Sequence, residues 1–359
     1  MATTTAGPPP LVMTRRRATA RQAPPPRPKK RKRATARPAV ARAQRTRGSV
    51  RQPRDTVGVI GLGIMGSAMA ASLIRSGFRV VGYDVLPRSR QQLRRAGGTP
   101  VARCATVGRE SNIIITSLPS SEALIEVAMQ LIADPTGPRR AGLHRIVIET
   151  STLPIAVKAE ARALLATLGI ILLDCPLSGT GAQARTKDLA VYASGDRAAY
   201  VHSIPVLEGF ARAHYYVGPF GAGSKMKFVA NLLVAIHNVA AAEALVLAMK
   251  SGLDPALALK VLGDGGGSSR MLQVRGPMMV TGDYASDVTM KLAVWQKDMN
   301  VIADFAKANG CPTPLFAATA PLYLSATAND PMEDTGAVCA VIEKLANYRR
   351  RKGSGRSRS

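Results

Sequence analysis

The chain is poor in aromatic side chains, has no acidic residue in its first 54 positions, and contains only four cysteines and four histidines. Each shortage excludes something. With aromatics at 4% and apolar residues at 46%, Ala, Val, Leu and Ile must fill the core, a mixture suited to helices packed on a buried parallel sheet. Cys104, Cys175, Cys311 and Cys339 lie far apart, without the paired spacing of a zinc site or a redox dithiol. Reduced thiols in a reducing compartment are therefore expected. No His, Cys or carboxylate cluster has metal-ligand spacing, so no catalytic metal is expected. No window approaches about 18 uninterrupted apolar residues, and the N-terminus lacks a signal-type apolar core. The expectation is a soluble, non-secreted, cytoplasmic protein with no membrane partner.

A net charge of +26 would point to nucleic acid or an anionic surface if it were spread over the fold. It is concentrated at the ends. Residues 1–55 hold 16 Lys/Arg and a single acid, Asp55, and residues 349–359 hold 6 more with none. Between them stand 27 basic and 22 acidic residues, a nearly balanced surface. Nucleic acid is thus expected, if at all, only through the tails. The first segment is rich in Arg, Ala, Pro and Thr and cannot bury enough apolar surface to offset its ordering entropy, so disorder is expected there. Three readings of it stay open: a transit peptide, which would place the protein in a mitochondrion or plastid; a basic arm for polyanions; and an extension without function.

The length of 359 residues exceeds one ordinary domain of about 150. The pattern divides the chain into a basic tail (1–55), an α/β domain of Rossmann type with a doubly wound sheet (56–220), an all-α domain entered by a long helix (221–348), and a second basic tail (349–359). In the α/β domain, strands are predicted over 56–60, 79–84, 112–117, 145–150, 170–174, 189–193 and 214–217. Helical stretches separate most of them, as βαβ units require, at 65–76, 86–95, 121–133 and 154–168. Past Gly223 strand signals vanish, and helices are predicted over 225–250, 254–262, 291–309, 315–327 and 335–348. There is no internal repeat.

The sharpest motif is Gly61-Leu62-Gly63-Ile64-Met65-Gly66, a G-x-G-x-x-G run between a predicted strand and a predicted helix. In that setting the glycines allow a tight turn, close approach of a pyrophosphate and close helix packing, with the helix N-terminus facing the phosphates. Asp84 follows at the end of the second strand, where a carboxylate bonds the ribose hydroxyls and repels a 2′-phosphate. NAD is favoured over NADP, and Arg88 nearby softens that preference.

The segment Gly61–Ala71, GLGIMGSAMAA, resembles the N-terminal signature of the β-hydroxyacid dehydrogenases. Two later segments agree in order: Asp174–Ala184, DCPLSGTGAQA, is similar to that family's substrate loop, and Gly221–Asn231, GAGSKMKFVAN, to its catalytic segment. The likeness spans 56–348 and leaves out both tails. It implies that Ser178 and Gly179, with Thr180 beside them, bind the substrate carboxylate, that Lys227 is catalytic and that Asn231 orients the substrate. It further implies that Leu118-Pro119 borders the nicotinamide, that Thr152 of Ser151-Thr152 contacts the cofactor, and that Lys297 of Lys297-Asp298 approaches it. Thr180 replaces a glycine common in the family, and Cys175 stands between Asp174 and Pro176. Independently of the resemblance, Lys227 and Asn231 are four residues apart and share a helical face. A lysine buried there would have its pKa drawn toward neutrality and could act as acid or base. Lys225, two residues away, points elsewhere and reads as surface. The Gly265–Ser269 run suggests a mobile loop or a plain connector, and His237 a packed side chain.

The expected activity is hydride transfer between NAD and a small 3-hydroxy acid, giving its semialdehyde or keto acid, by a homodimer or homotetramer. A non-enzymatic dinucleotide-binding module with nucleic-acid-binding tails is the alternative, and the presence of Lys227 with its Gly and Asn partners weighs against it. A sugar-phosphate dehydrogenase would need a basic phosphate pocket, for which only Arg185 and Lys187 stand near the substrate loop.

Overall fold

A computed structural model of the protein describes residues 54–133 and 145–350. Residues 1–53, where disorder was expected, and residues 351–359 of the second basic tail lie outside the described residues. The first half alternates strand and helix: β1 (Arg54–Ile60), α1 (Ile64–Arg75), β2 (Phe78–Tyr83), α2 (Pro87–Arg95), β3 (Thr99–Pro100), α3 (Cys104–Glu110), β4 (Ile113–Thr116) and α4 (Ser121–Ala133). It continues with β5 (Ile146–Glu149), α5 (Ile155–Ala166), β6 (Ile171–Asp174), β7 (Leu177–Ser178), α6 (Gly181–Arg185), β8 (Ala190–Ser194), α7 (Arg197–Phe210) and β9 (Ala213–Gly218).

Strands β1 to β6 pair in the parallel order β3-β2-β1-β4-β5-β6. This order reverses between β1 and β4, and the crevice at such a switch point is where open α/β sheets bind ligands. The expected doubly wound sheet is extended by strands of opposite direction: β8 runs antiparallel to β6 and β7, with β9 parallel to β8. Alternate side chains of one strand enter different cores, as the two-residue repeat dictates. Val57, Val59, Ile115 and Ile148 face one, and Ile60, Ile114, Val147 and Leu172 the other. Because Ile115 is wholly buried, truncating it to Ala would cost about 2–5 kcal/mol.

The second half is helical: α8 (Ala222–Lys250), α9 (Pro255–Asp264), α10 (Arg270–Thr281), α11 (Leu292–Ala308), α12 (Pro314–Asn329), a 3₁₀ turn (Thr335–Ala337) and α13 (Val338–Leu345). Helix α8 is long and apolar enough to cross a membrane by length and composition, a property the sequence reading did not expect. Half of its most apolar stretch is buried inside the protein, against residues of α10, α11, α12 and α13. It also carries Asn231 and Asn238 into that core, so it reads as a core helix. Trp295, the single tryptophan, is buried there with its ring 5.8 Å from that of Tyr323. The Arg275 guanidinium pairs with Asp334 at 2.9 Å, and Asp334 also accepts the Thr289 and Met290 N–H groups, fastening α10 to the segment before α11.

Two tail boundaries shift. Arg54 and Asp55 belong to β1, because Arg54 already pairs with Phe78. Arg350, assigned to the second basic tail, is docked: it donates to the carbonyls of Met279 (2.5 Å) and Val280 (2.6 Å) near the end of α10 and pairs with Glu343. Carbonyls left unpaired near a helix C-terminus attract a cation. Helices α3, α7 and α10 were not among the expected ones; α7 and α10 each contain an internal proline, Pro205 and Pro277. The Gly265–Ser269 run is a short connector whose last residue caps α10 through Leu272 N–H.

Candidate active site

The glycine loop sits at the switch point, between the ends of β1 and β4. Gly61 adopts φ +87°, and a Cβ there would stand 2.2 Å from the Ser117 carbonyl oxygen. A Cβ on Gly66 would lie 1.8 Å from the Gly61 oxygen. These two glycines are therefore required by the turn and by helix packing. Gly63 is different: a Cβ there would meet nothing within 4 Å, so its glycine is not demanded by the protein's own packing. This open side lies at the start of α1, whose first turn has no side-chain cap. Uncapped N–H groups and a bare Cα facing open space are what a pyrophosphate needs, so the residues fit a dinucleotide.

Asp84 directly follows β2, beside this loop. Its carboxylate accepts the Leu62 N–H at 2.7 Å and the Leu86 N–H at 2.8 Å. One bond to each oxygen leaves acceptor capacity for ribose hydroxyls. The expectation that Arg88 is the nearby basic residue is incomplete, because Arg90 donates to the Asp84 carbonyl at 2.5 Å and brings a second guanidinium to this corner. On the other side of the crevice, the Leu118 N–H donates to Ser151 Oγ at 2.8 Å, joining the Leu118-Pro119 loop after β4 to the Ser151-Thr152 loop after β5.

The segment 178–181 adjoins the glycine loop: a Cβ on Gly181 would lie 2.6 Å from Ile64. Gly179 has φ +134° and room for no side chain, with Leu189 2.6 Å from a Cβ placed there. Ser178 and Gly179 are half-buried. Thr180 is engaged locally, its side chain and N–H forming a reciprocal cap with Gln183 at the start of α6.

Helix α8 begins on the sheet because Gly223 permits it. A Cβ there would collide with the carbonyl oxygens of Tyr192 (2.4 Å) and Asp174 (2.6 Å). Gly221 supplies the preceding turn with φ +91°. One turn further on, Lys227 is 9% exposed, whereas Lys225 is on the surface. Burial lowers the Lys227 pKa, opposed by Asp298 and assisted by Lys297. Among the described residues nothing accepts a hydrogen bond from its amine. Asn231, buried on the same face, donates its amide to Asp298 Oδ2 at 3.0 Å. Burial raises the Asp298 pKa against the pull of Lys297 and Lys227. Lys297 donates to the Thr152 carbonyl at 2.7 Å and lies 3.6 Å from Asp298. The structure thus links Asn231 to Lys297 through Asp298, and Lys297 to Thr152.

Sequence reasoning passed over Asp298 as a site residue, and it missed a buried charge cluster behind the site. Lys158 is fully buried, 2.6 Å from Glu149 and 2.8 Å from Asp174, and donates to the Ser151 carbonyl at 2.7 Å. A signal existed: Lys158 shares the buried face of α5 with Ala161 and Leu165.

A dinucleotide crevice at the switch point, with a buried lysine on the helix packed against the adjoining strands, defines a nicotinamide-dependent oxidoreductase. Comparisons with known proteins narrow this. A model for the NAD-binding domain of 6-phosphogluconate dehydrogenase matches residues 56–218, and one for the NAD-binding domain of NADP-dependent 3-hydroxyisobutyrate dehydrogenase matches residues 221–342. L-threonate dehydrogenase of Cupriavidus necator is 34% identical over 292 residues, covering 80% of this chain and 95% of the relative. 2-Hydroxy-3-oxopropionate reductase of Escherichia coli is 31% identical, covering 82% and 99%. Among solved structures, 3-hydroxyisobutyrate dehydrogenase from Salmonella typhimurium superposes with a TM-score of 0.72 at 29% identity, covering 80% of this chain and all of that one. The chain belongs to the β-hydroxyacid dehydrogenase family. It is an oxidoreductase acting on CH–OH donors, with NAD(P)-binding domains.

Proposed function

We propose that the protein interconverts a small 3-hydroxy acid and its semialdehyde or keto acid, with Lys227 as general acid and base and NAD as the preferred cofactor. The observation that carries this reading is Lys227 itself: a buried amine, its pKa lowered by burial, with no acceptor among the described residues. The nicotinamide, when bound, supplies the hydride acceptor or donor. In oxidation, the neutral Lys227 amine takes the hydroxyl proton; in reduction, its ammonium returns a proton to the carbonyl oxygen. Asn231, its amide fixed on Asp298, orients the reacting oxygen. Ser178 and the Gly179 backbone take the substrate carboxylate, and Thr180 holds that loop through α6.

Gly61, Leu62, Gly63, Ile64, Met65 and Gly66 cradle the pyrophosphate, and Asp84 bonds the ribose. Leu118, Pro119, Thr152 and Lys297 border the nicotinamide. The preference for NAD rests on the Asp84 carboxylate at the ribose corner and is set against Arg88 and Arg90. Of the relatives, two are named for activity on L-threonate and on 2-hydroxy-3-oxopropionate, and a Mycobacterium tuberculosis 3-hydroxyisobutyrate dehydrogenase was solved with L-serine. All are small polar acids, which supports a compact substrate of this class.

The test is a screen of purified protein with NAD and NADP against C3 to C5 hydroxy acids, followed by absorbance of the reduced cofactor. Turnover of a 3-hydroxy acid with a higher kcat/KM for NAD is expected. Binding of cofactor without turnover of any acid would leave a dinucleotide-binding module instead.

A further inference from the structure

We propose that Lys158, Glu149 and Asp174 are positioning residues that lock the first turn of α8 to the sheet and thereby set where the Lys227 amine stands. The inference rests on the reading of Lys227 as the acid and base.

Helix α8 does not cap itself. Its N-cap is Gly221, which has no side chain to offer, and N–H groups at a helix start need acceptors. The acceptors come from the sheet. Asp174 Oδ2 takes the Ser224 N–H at 2.8 Å, Asp174 Oδ1 takes the Ser224 hydroxyl at 2.8 Å, and Ser194 Oγ takes the Gly223 N–H at 2.9 Å. The Ser194 hydroxyl in turn faces the Asp174 carbonyl at 3.1 Å and Oδ2 at 3.3 Å. With the Lys158 ammonium also on Oδ1 at 2.8 Å, both oxygens of the carboxylate are engaged, Oδ1 by two donors and Oδ2 by the Ser224 N–H. Ser224 is three residues before Lys227, so any tilt of this turn displaces the amine.

The same ammonium reaches the cofactor side. Lys158 donates to the Ser151 carbonyl, the Ser151 N–H donates to Glu149 Oε1 at 2.8 Å, and Ser151 Oγ receives the Leu118 N–H. The next residue, Thr152, accepts from Lys297. One buried cation therefore joins the start of the helix that carries Lys227 to the two loops proposed to border the nicotinamide. Lys158, Glu149 and Asp174 are all 0% exposed, which excludes contact with substrate. A buried ionic cluster is a poor stabiliser compared with well-packed apolar residues. What it adds is directional geometry, fixed by charge-assisted hydrogen bonds.

The test uses the full chain with both hydroxyls removed, Ser194→Ala with Ser224→Ala, assayed well below its melting temperature on the best substrate from the screen. A displaced amine predicts kcat lower by about tenfold or more. It also predicts a larger isotope effect on kcat with substrate deuterated at the carbinol carbon, and an NAD dissociation constant within about twofold of wild type, because the cofactor contacts remain. Ser224→Thr, which keeps the hydroxyl, should restore most of the rate to a chain that retains Ser194. A folded double variant with wild-type kcat and an unchanged isotope effect would overturn the proposal, leaving the cluster a purely structural one. If the double variant does not fold, Ser224→Ala alone removes a single side-chain hydrogen bond and is read by the same two outcomes. Lys227→Ala run alongside separates the two readings: an active Lys227→Ala defeats the acid and base assignment, whereas an inactive one beside a fully active double variant defeats only the positioning role.

Discussion

Two buried lysines, Lys158 on α5 and Lys227 on α8, have pKa values shifted in opposite directions. Lys158 has three oxygen partners within 2.8 Å. Burial alone would lower its pKa, but the carboxylates of Glu149 and Asp174 override burial and raise it. Among the described residues Lys227 has no hydrogen-bond acceptor, and there burial wins over Asp298 and the pKa falls. Burial by itself therefore does not make an acid–base catalyst. What differs is the set of negative partners the fold supplies: two carboxylates raise the Lys158 pKa, whereas Asp298 does not offset burial at Lys227.

The largest expected effect on this comparison is the loss of Lys227. Lys227→Ala should lower kcat by about 10²- to 10⁴-fold while leaving NAD affinity nearly intact, as measured by steady-state rates beside fluorescence titration. Retention of more than about a third of wild-type turnover with chemistry rate-limiting would end the assignment. Removing the other lysine should act on the fold. Lys158→Met strands two carboxylates in the core, and denaturant unfolding should show a loss of about 3–5 kcal/mol.

The pH dependence sharpens the contrast. In the proposed mechanism oxidation needs the neutral Lys227 amine, so kcat should rise with pH through a pKa below the ordinary lysine value of about 10.4. Reduction needs the ammonium and should fall over the same range. Because Asp298 holds the amine's pKa up, Asp298→Asn should move both limbs to lower pH. A movement to higher pH would contradict the electrostatic account. A smaller effect is expected at Asp84. Asp84→Asn should shift the NAD to NADP ratio of kcat/KM toward NADP by about tenfold, the scale of one hydrogen bond to a charged group. Lys225→Ala, on the exposed side of the same helix, should change none of these quantities measurably.

The elements that carry the site were legible where the sequence carries long or apolar signals. The runs Ile113–Thr116 and Ile146–Glu149 are continuous enough to mark buried strands, and both form as expected. The glycine loop and the start of α8 were legible because their glycines form a spaced motif, and Gly61, Gly66, Gly221 and Gly223 each have a steric or conformational reason, whereas Gly63 leaves open space. Strands β3 and β7, of two residues each, and the five-residue α6 are too short to show a period. The antiparallel turn of β8 depends on long-range pairing that no local pattern encodes. Lys158 was missed for a different reason. A lysine in a helix resembles a solvated charge until its partners are known, and these stand at the ends of two strands, 9 and 16 residues away in sequence. Asp298 was seen only as a neighbour of Lys297, because its bond to Asn231 crosses 67 residues.

The lone tryptophan gives the helical core an optical consequence. Trp295 lies two residues before Lys297 and three before Asp298 on α11, in a chain with no second indole to confuse the signal. Its emission falls in the band where reduced nicotinamide absorbs. Energy transfer from this one donor would therefore report the arrival of the reduced cofactor without any label, and its decay would register motion of α11 relative to the crevice. The protein carries its own spectroscopic ruler between the helix that bears Asp298 and a bound reduced nicotinamide.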